Sequence, residues 1–294
     1  MDRVTRAIVG FYWRLPYTPF KGMLIKIFKA YRSINRGRTV VASIDGITYE
    51  LDLNEGIDSE IYYTGCYKAA TSKIITMLCK KNFTILDIGA NIGAYTFRFA
   101  KLAGPQGKVI AFEPMSWAFT KLERNRDLNA LGNVFLERLA LSNRSKDNQE
   151  VNFACSWPIT DGGASQHPLI RRSTLMKDVT NVITLDDYVA KKGIERIDLI
   201  KLDVDGYELR VLQGAIKTLK LHKPIILMEL AVYTIEEVGD RVEDLFSLLQ
   251  SLGYKFYNIR DMKAYSSIES MISSIPDRDA IDVIVSATEL ESLN

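Results

Sequence analysis

The stretch Ile85-Leu86-Asp87-Ile88-Gly89-Ala90-Asn91-Ile92-Gly93-Ala94-Tyr95 constrains the fold of this chain more than any other. Apolar residues on both sides of Asp87 read as a short buried strand. Gly89 and Gly93 then mark a tight turn into a helix. Strand-like runs recur at 83–88, 108–113, 133–137, 197–203, 224–230, 254–259 and 281–286. Helical patterns at 92–102, 116–130, 206–220 and 236–252 separate most of them. Strand and helix in alternation predict an α/β fold: an open, mainly parallel seven-stranded sheet with helices on both faces and right-handed crossovers. Only a polar loop joins the last two runs, so one of those strands is expected to enter antiparallel.

The 294 residues, 47% hydrophobic and 25% charged, suit one large globular domain with an added N-terminal segment. Charge is uneven. Residues 1–39 hold nine Lys or Arg and one acid, a net +8, against +2 for the whole chain, which leaves −6 for the remainder. Basic character therefore belongs to the N-terminal arm, and a nucleic-acid partner is not expected. Helical periods cover Val4–Leu15 and Phe20–Ile34, the second capped by Thr18 with Pro19 in its first turn. Two uses compete for this amphipathic arm: packing on its own domain or a second subunit, and contact with an anionic membrane surface. Cys66, Cys79 and Cys155 are odd in number and far apart, which points away from a disulfide framework or zinc site and towards the cytoplasm, or the inner membrane face if the arm is peripheral. No apolar run approaches the ~20 residues of a spanning helix.

Alternating apolar residues on both sides of Asp45-Gly46 predict a β-hairpin over 38–53, and helical signals follow from Ser59 to Lys80. We place the boundary between N-terminal segment and main domain at 57/58. The connection from about 138 to 182 exceeds a plain crossover. Leu139–Ser142 and Glu150–Phe153 flank a polar turn and look like an extra hairpin, and a small-residue loop begins at Asp161-Gly162-Gly163. Long loops of this kind are often functional lids.

Ligands of an open parallel sheet bind beyond the carboxyl ends of its strands. Asp87, Glu113, Asp203 and Glu229 all lie at such ends. Gly89 lets backbone approach a ligand closely, and the following helix start offers free N–H groups to a carboxylate. Glu113 is placed to accept hydrogen bonds from ribose hydroxyls. The dinucleotide fingerprint G-x-G-x-x-G has Asn91 where its second glycine would admit a pyrophosphate, which favours a compact nucleoside.

At these residues the sequence resembles the FkbM family of S-adenosylmethionine-dependent methyltransferases. Ile85–Tyr95 is similar to the family's first motif, Phe112-Glu113-Pro114 to its second, and Ala140-Leu141-Ser142 to its adenine-side segment. Ile200-Lys-Leu-Asp203-Val-Asp205-Gly206-Tyr-Glu208 with Val211–Ala215 is similar to its most distinctive block, except that Asp205 stands where Glu is more frequent. The resemblance covers about 58–230. It implies a class I methyltransferase, Rossmann-like fold and methylation of a hydroxyl on a sugar, glycolipid or polyketide. It also implies that Asp87, Gly89 and Asn91 line the amino-acid end of the cofactor, Glu113 with Pro114 holds the ribose, Leu141 and Ser142 lie along the adenine, and Asp203 sits near the transferred methyl.

Methyl transfer to a hydroxyl needs an in-line acceptor and a base for its proton. Asp203, Asp205, Glu229 and the lid's His167 are the candidates, whereas His222 precedes its strand at the wrong end of the sheet. Burial would raise Glu229 towards a useful pKa. Asp203, Asp205 and Glu229 could instead share a divalent cation, but no oxygen-ligand loop pattern supports a metal. Tyr62, Tyr63, Tyr67, Trp117 and Trp157 are candidate stacking surfaces for a sugar or adenine, with core or rim packing the expected role of most, and Glu60 and Tyr67 could cover the cofactor. Two rivals to O-methylation remain: aminopropyl transfer by an Asp203–Asp205 pair, and a non-catalytic membrane-surface or scaffold role with a vestigial pocket.

Overall fold

The computed structural model describes residues 38–154, 175–276 and 279–290. The two N-terminal helical periods, Cys155, Trp157, the Asp161-Gly162-Gly163 loop and His167 lie outside them.

The chain opens with the hairpin, β1 (Thr39–Ile44) and β2 (Ile47–Asp52). Asp45 and Gly46 both take positive φ, 51° and 69°, the demand of a primed two-residue turn. The helical region after it is two helices rather than one, α1 (Gly56–Thr64) and α2 (Ala69–Leu78). Gly65 ends α1 in the left-handed region at φ 89°, and Lys68 precedes α2 at φ 42°.

The main sheet has seven strands: β3 (Thr84–Ile88), β4 (Lys108–Phe112), β5 (Val134–Glu137), β9 (Leu199–Leu202), β10 (Ile225–Leu230), β11 (Lys255–Asn258) and β12 (Ile281–Ser286). Their order is β11-β12-β10-β9-β3-β4-β5. Only β12 runs antiparallel to its neighbours, as the missing crossover implied. This is the class I methyltransferase architecture. The order reverses between β3 and β9, so a crevice opens there at the carboxyl ends.

Several helices differ from their sequence patterns. The helix after β3 starts at Thr96 rather than 92, giving α3 (Thr96–Ala103), because residues 89–95 form the turn. Helix α4 (Ser116–Asp127) matches its expected start. Region 206–220 splits into α6 (Glu208–Gln213) and α7 (Ile216–His222), and 236–252 into α8 (Val232–Glu237) and α9 (Val242–Ser251). Helix α5 (Leu185–Lys192) was not expected. The Thr184 hydroxyl accepts from Asp187 N–H at 3.0 Å, and Gly193 closes its other end at φ 59°. A short α10 (Ile268–Ile272), opened by a Ser267/Ser270 capping box, interrupts the polar loop before β12.

The extra hairpin is corrected. β6 (Leu139–Leu141) and β7 (Lys146–Ala154) do not pair with each other. Both flank β8 (Leu175–Ile183), β6 parallel and β7 antiparallel. The partner strand lies far along the chain, which a local alternation pattern cannot show.

Two apolar layers sandwich the sheet. Ile85, Val109, Leu199, Leu227 and Ile284 face a cluster that includes the hairpin's Ile47, Tyr49 and Leu51, α1, α2 and α3. Leu86, Ile110, Ile200, Met228 and Val283 face the other, with α5 to α9. The hairpin is tied down by side chains of α4 and of the turn that follows it. Asn129 exchanges 2.7 Å hydrogen bonds with the Thr48 backbone, and fully buried Asn125 accepts from Glu50 N–H at 2.7 Å while donating to Ile92 O at 3.0 Å.

Candidate active site

The turn after β3 is built by close backbone approach. Gly89 has φ 83°, and a Cβ there would lie 1.8 Å from the Asp203 carbonyl oxygen. Its N–H and that of Ala90 both donate to Phe112 O at 3.0 Å. Asn91 follows in the left-handed region at φ 49°, which Asn tolerates better than most residues. Gly93 packs against Phe97 and Leu122 with no room for a Cβ. These contacts draw the ends of β3, β4 and β9 together.

Glu113 organises that turn. One carboxylate oxygen accepts from Asn91 N–H at 2.8 Å and the other from Met115 N–H at 2.9 Å. Burial pushes its pKa up to about 7 against those two bonds, with Asp205 and Asp87 adding to the rise. Asp87 is also buried, and its carboxylate accepts from the Thr96 hydroxyl at 2.5 Å. Burial pushes it up to about 6, opposed by that hydroxyl and by Lys201.

A second set of charges lies on the same face, one strand over. Asp87 is the register partner of Lys201, and Lys201 points the same way as Asp203 two residues on. Met228 sits beside Leu202, so Glu229 falls beside Asp203, and Glu229 is the register partner of Asp282. Asp203, Glu229 and Asp282 thus form a row across three strand ends. Two ammonium groups are set among them. Lys201, 1% exposed, donates to Asp203 at 3.0 Å and lies 4.0 Å from Asp282. Lys68, from the α1–α2 loop, pairs with Glu229 and lies 4.0 Å from Asp282 Oδ2, the same oxygen that accepts from the Thr71 hydroxyl.

The electrostatics divide the acids. For Asp203, burial works upward, but Lys201, Lys68 and a hydrogen bond from Glu229 outweigh it and hold the carboxyl well below the usual range. For Glu229, burial and the neighbouring Asp203 charge win over Lys68 and Lys201 and push it up to about 8. Burial alone would lower Lys201, yet Asp203 and Asp282 hold it above its ordinary value.

Several buried polar atoms here have no hydrogen-bond partner: the Tyr95 hydroxyl, Trp117 Nε1 and Asp282 Oδ1. Buried polar atoms are nearly always paired. Together with the acid-lined crevice, they fit a polar, cationic nucleoside as ligand. Lys201 Nζ stands 5.6 Å from the centre of the Tyr95 ring, and Tyr67 and Tyr95 are 5.7 Å apart by centroid.

Of the sequence-predicted residues, Asp87, Gly89, Asn91 and Glu113 come together around one turn, and Pro114 follows it. Asp203 and Glu229 stand side by side beyond it. Asp205 is exposed on the next turn at φ 52°, apart from the row. Leu141 is buried in the second apolar layer, and Ser142 N–H donates to Ile183 O at 3.1 Å. Tyr62 and Tyr63 are core residues in edge-on contact at 5.1 Å, so they serve packing and not ligand stacking. Glu60 accepts from Lys68 N–H at 2.9 Å and so shapes the loop beside the site. Among the described residues, no group of three or more His, Cys, Asp or Glu could hold a metal ion.

Sequence reasoning assigned no role to Lys68, Lys201, Asp282 or Glu208. Glu208 accepts from Val204 and Gly206 N–H at 3.1 and 3.3 Å and fixes the turn after Asp203. A lysine in a run of buried strand residues and an acid in Ile281–Ser286 were the available signals.

The profile described as "Methyltransferase FkbM domain" matches residues 87–256, more than half of the chain. The methyltransferase sdnD of Sordaria araneosa is 30% identical over 54% of this chain and 67% of its own length. The 2-O-methyltransferase NoeI of Sinorhizobium fredii is 30% identical over 50% of this chain and 63% of its own. The hexuronic acid methyltransferase AglP of Haloferax volcanii is 32% identical over 46% and 50%. The matched region thus spans between half and two thirds of these relatives.

Proposed function

The chain belongs to the FkbM family of S-adenosylmethionine-dependent methyltransferases, and from that premise we propose that it methylates a hydroxyl oxygen of a sugar, glycolipid or related small molecule. The observation that carries this reading is the adjacent pair Asp203 and Glu229, whose environments drive their pKa values apart. Such a split assigns an acid–base task. Lys201 and Lys68 favour the charged form of Asp203, and Glu229 is the group placed to exchange a proton near neutrality.

When bound, S-adenosylmethionine supplies a methyl on a positively charged sulfur. Glu113 with Pro114 would hold its ribose, Asp87, Gly89 and Asn91 its amino-acid end, and Leu141 and Ser142 its adenine. Asp203 would offer a fixed negative charge to the cationic end of the cofactor. Glu229 takes the proton that the acceptor hydroxyl must lose. Asp205 is a poorer base, being exposed on the turn beyond the row. Relatives named for O-methylation of a 2-position and methylation of a hexuronic acid support a glycan-like acceptor. Aminopropyl transfer loses its motivation, since Asp203 faces Lys201 rather than pairing with Asp205.

The test is transfer of a labelled methyl from S-adenosylmethionine to a panel of hydroxylated glycans and glycolipids, with product identification. Label on oxygen supports the proposal. Label on nitrogen or carbon, or binding without any transfer, overturns it.

A further inference from the structure

Glu229 is faced by charged or titratable groups from three directions. Lys201 and Asp203 come from β9 and its end, Asp282 from β12, and Lys68 and Tyr67 from the α1–α2 loop. Lys201 is committed to Asp203, its nearest partner at 3.0 Å. Lys68 is the cation that meets Glu229 directly.

The loop is built to deliver that side chain. Lys68 sits at φ 42°, in the left-handed region that a residue with a Cβ rarely adopts. Its N–H is held by Glu60 at 2.9 Å, and the Tyr67 carbonyl accepts from the Ser72 hydroxyl at 2.7 Å. The Thr71 hydroxyl, in the first turn of α2, donates to Asp282. So the loop is anchored to the same strand pair that its lysine bridges. Like charges directly opposite on neighbouring strands repel, and Glu229 and Asp282 are such a pair.

Resting on the reading of Glu229 as proton acceptor, we propose that Lys68 is its positioning residue: the ammonium pins the Glu229 carboxylate beside Asp282 and sets how readily it takes a proton. Without Lys68, three carboxylates would share Lys201 alone, and Glu229 would hold its proton more tightly. Lys68 is 28% exposed against 1% for Lys201, so its replacement leaves the core closed.

The experiment compares the full-length protein with Lys68→Met and Lys68→Arg. Cofactor affinity is read by calorimetry, the acidic limb of the rate by initial velocities across pH, and Glu229 itself by carbon NMR of carboxyl-labelled glutamate, assigned with Glu229→Gln. In Lys68→Met the Glu229 titration and the acidic limb move upward by about one unit or more. Activity at neutral pH falls about tenfold per unit of that move, since only the ionised base works. Cofactor affinity stays within about twofold of the parent's, Lys68→Arg returns the profile to the parent's, and in a Glu229→Gln background Lys68→Met adds nothing. A Glu229 resonance that titrates at the same pH in Lys68→Met overturns the proposal, as does a Lys68→Arg profile as displaced as that of Lys68→Met. Should the parent transfer no methyl to oxygen, the functional reading fails on its own, and the NMR titration still decides the role of Lys68.

Discussion

Glu229 and Asp282 stand directly opposite each other on adjacent antiparallel strands, with Asp203 beside Glu229 on the third. Three carboxylates in a row would repel strongly, but two lysines from different parts of the chain intervene. Lys201 is fixed by its strand and Lys68 by a loop. The result is one acid held in its charged form and one whose carboxyl is pushed up, on the two strands next to the switch point of the sheet.

Replacing Glu229 with Gln removes the proposed proton acceptor and keeps the volume. We expect kcat to fall by about 10²–10⁴, the range for loss of a general base, with cofactor affinity by calorimetry little changed. In the parent, activity should rise with pH through about 8, because Glu229 must be ionised to act. A Gln variant that retains most of its activity would remove Glu229 from the mechanism.

Glu113 accepts two loop N–H groups, at 2.8 and 2.9 Å, before any ribose contact is counted. Glu113→Ala should therefore loosen the turn and the proposed ribose site together. Charge-assisted hydrogen bonds of this sort are each worth about 1.5–3 kcal/mol, so cofactor binding should weaken at least tenfold in a titration. Unchanged affinity would contradict the assigned ribose site.

How far the sequence carried depended on whether a signal was local. The strands, the Asp45-Gly46 turn and the acids at the strand ends were legible because each rests on short-range periodicity or on glycine and aspartate chemistry. The helical signals over 59–80 do not mark the break at Gly65, where left-handed backbone ends the helix. The pairing of β6 and β7 with β8 depends on a strand more than 20 residues away along the chain. The lysines were missed for a similar reason. Lys201 is intelligible only with Asp203 and Asp282, and Lys68 only once α2 packs beside β10 and β12.

Asn125 has no exposure and joins three elements, accepting from Glu50 N–H and donating to Ile92 O. Asn125→Ala leaves a buried backbone donor and a buried acceptor unsatisfied, at about 1–3 kcal/mol each. Urea unfolding should show a loss of about 2–4 kcal/mol, and cofactor affinity should fall too, since Ile92 belongs to the binding turn. A stability change under about 0.5 kcal/mol would mean the hairpin is not held this way.

Glu208 gives a pH dependence whose sign is fixed by its burial. It is 3% exposed, its Oε2 has no partner, and burial pushes it up to about 7 despite its bonds to backbone N–H groups. A carboxyl raised in the folded state binds more protons there than when unfolded. Its contribution is therefore intact below about 4.5 and is lost as pH climbs through about 7. Glu208→Gln keeps an oxygen to accept from Val204 and Gly206 but cannot ionise. Relative to the parent, the variant should be of similar stability at pH 4 and more stable at pH 8, by on the order of 2 kcal/mol. Thermal or urea unfolding at the two pH values measures the difference. Because Glu208 contacts backbone and not the acceptor, the acidic limb of the rate should stay where the parent has it. A stability difference independent of pH would show that Glu208 is already ionised in the folded protein near pH 4, and the account of its burial would fall.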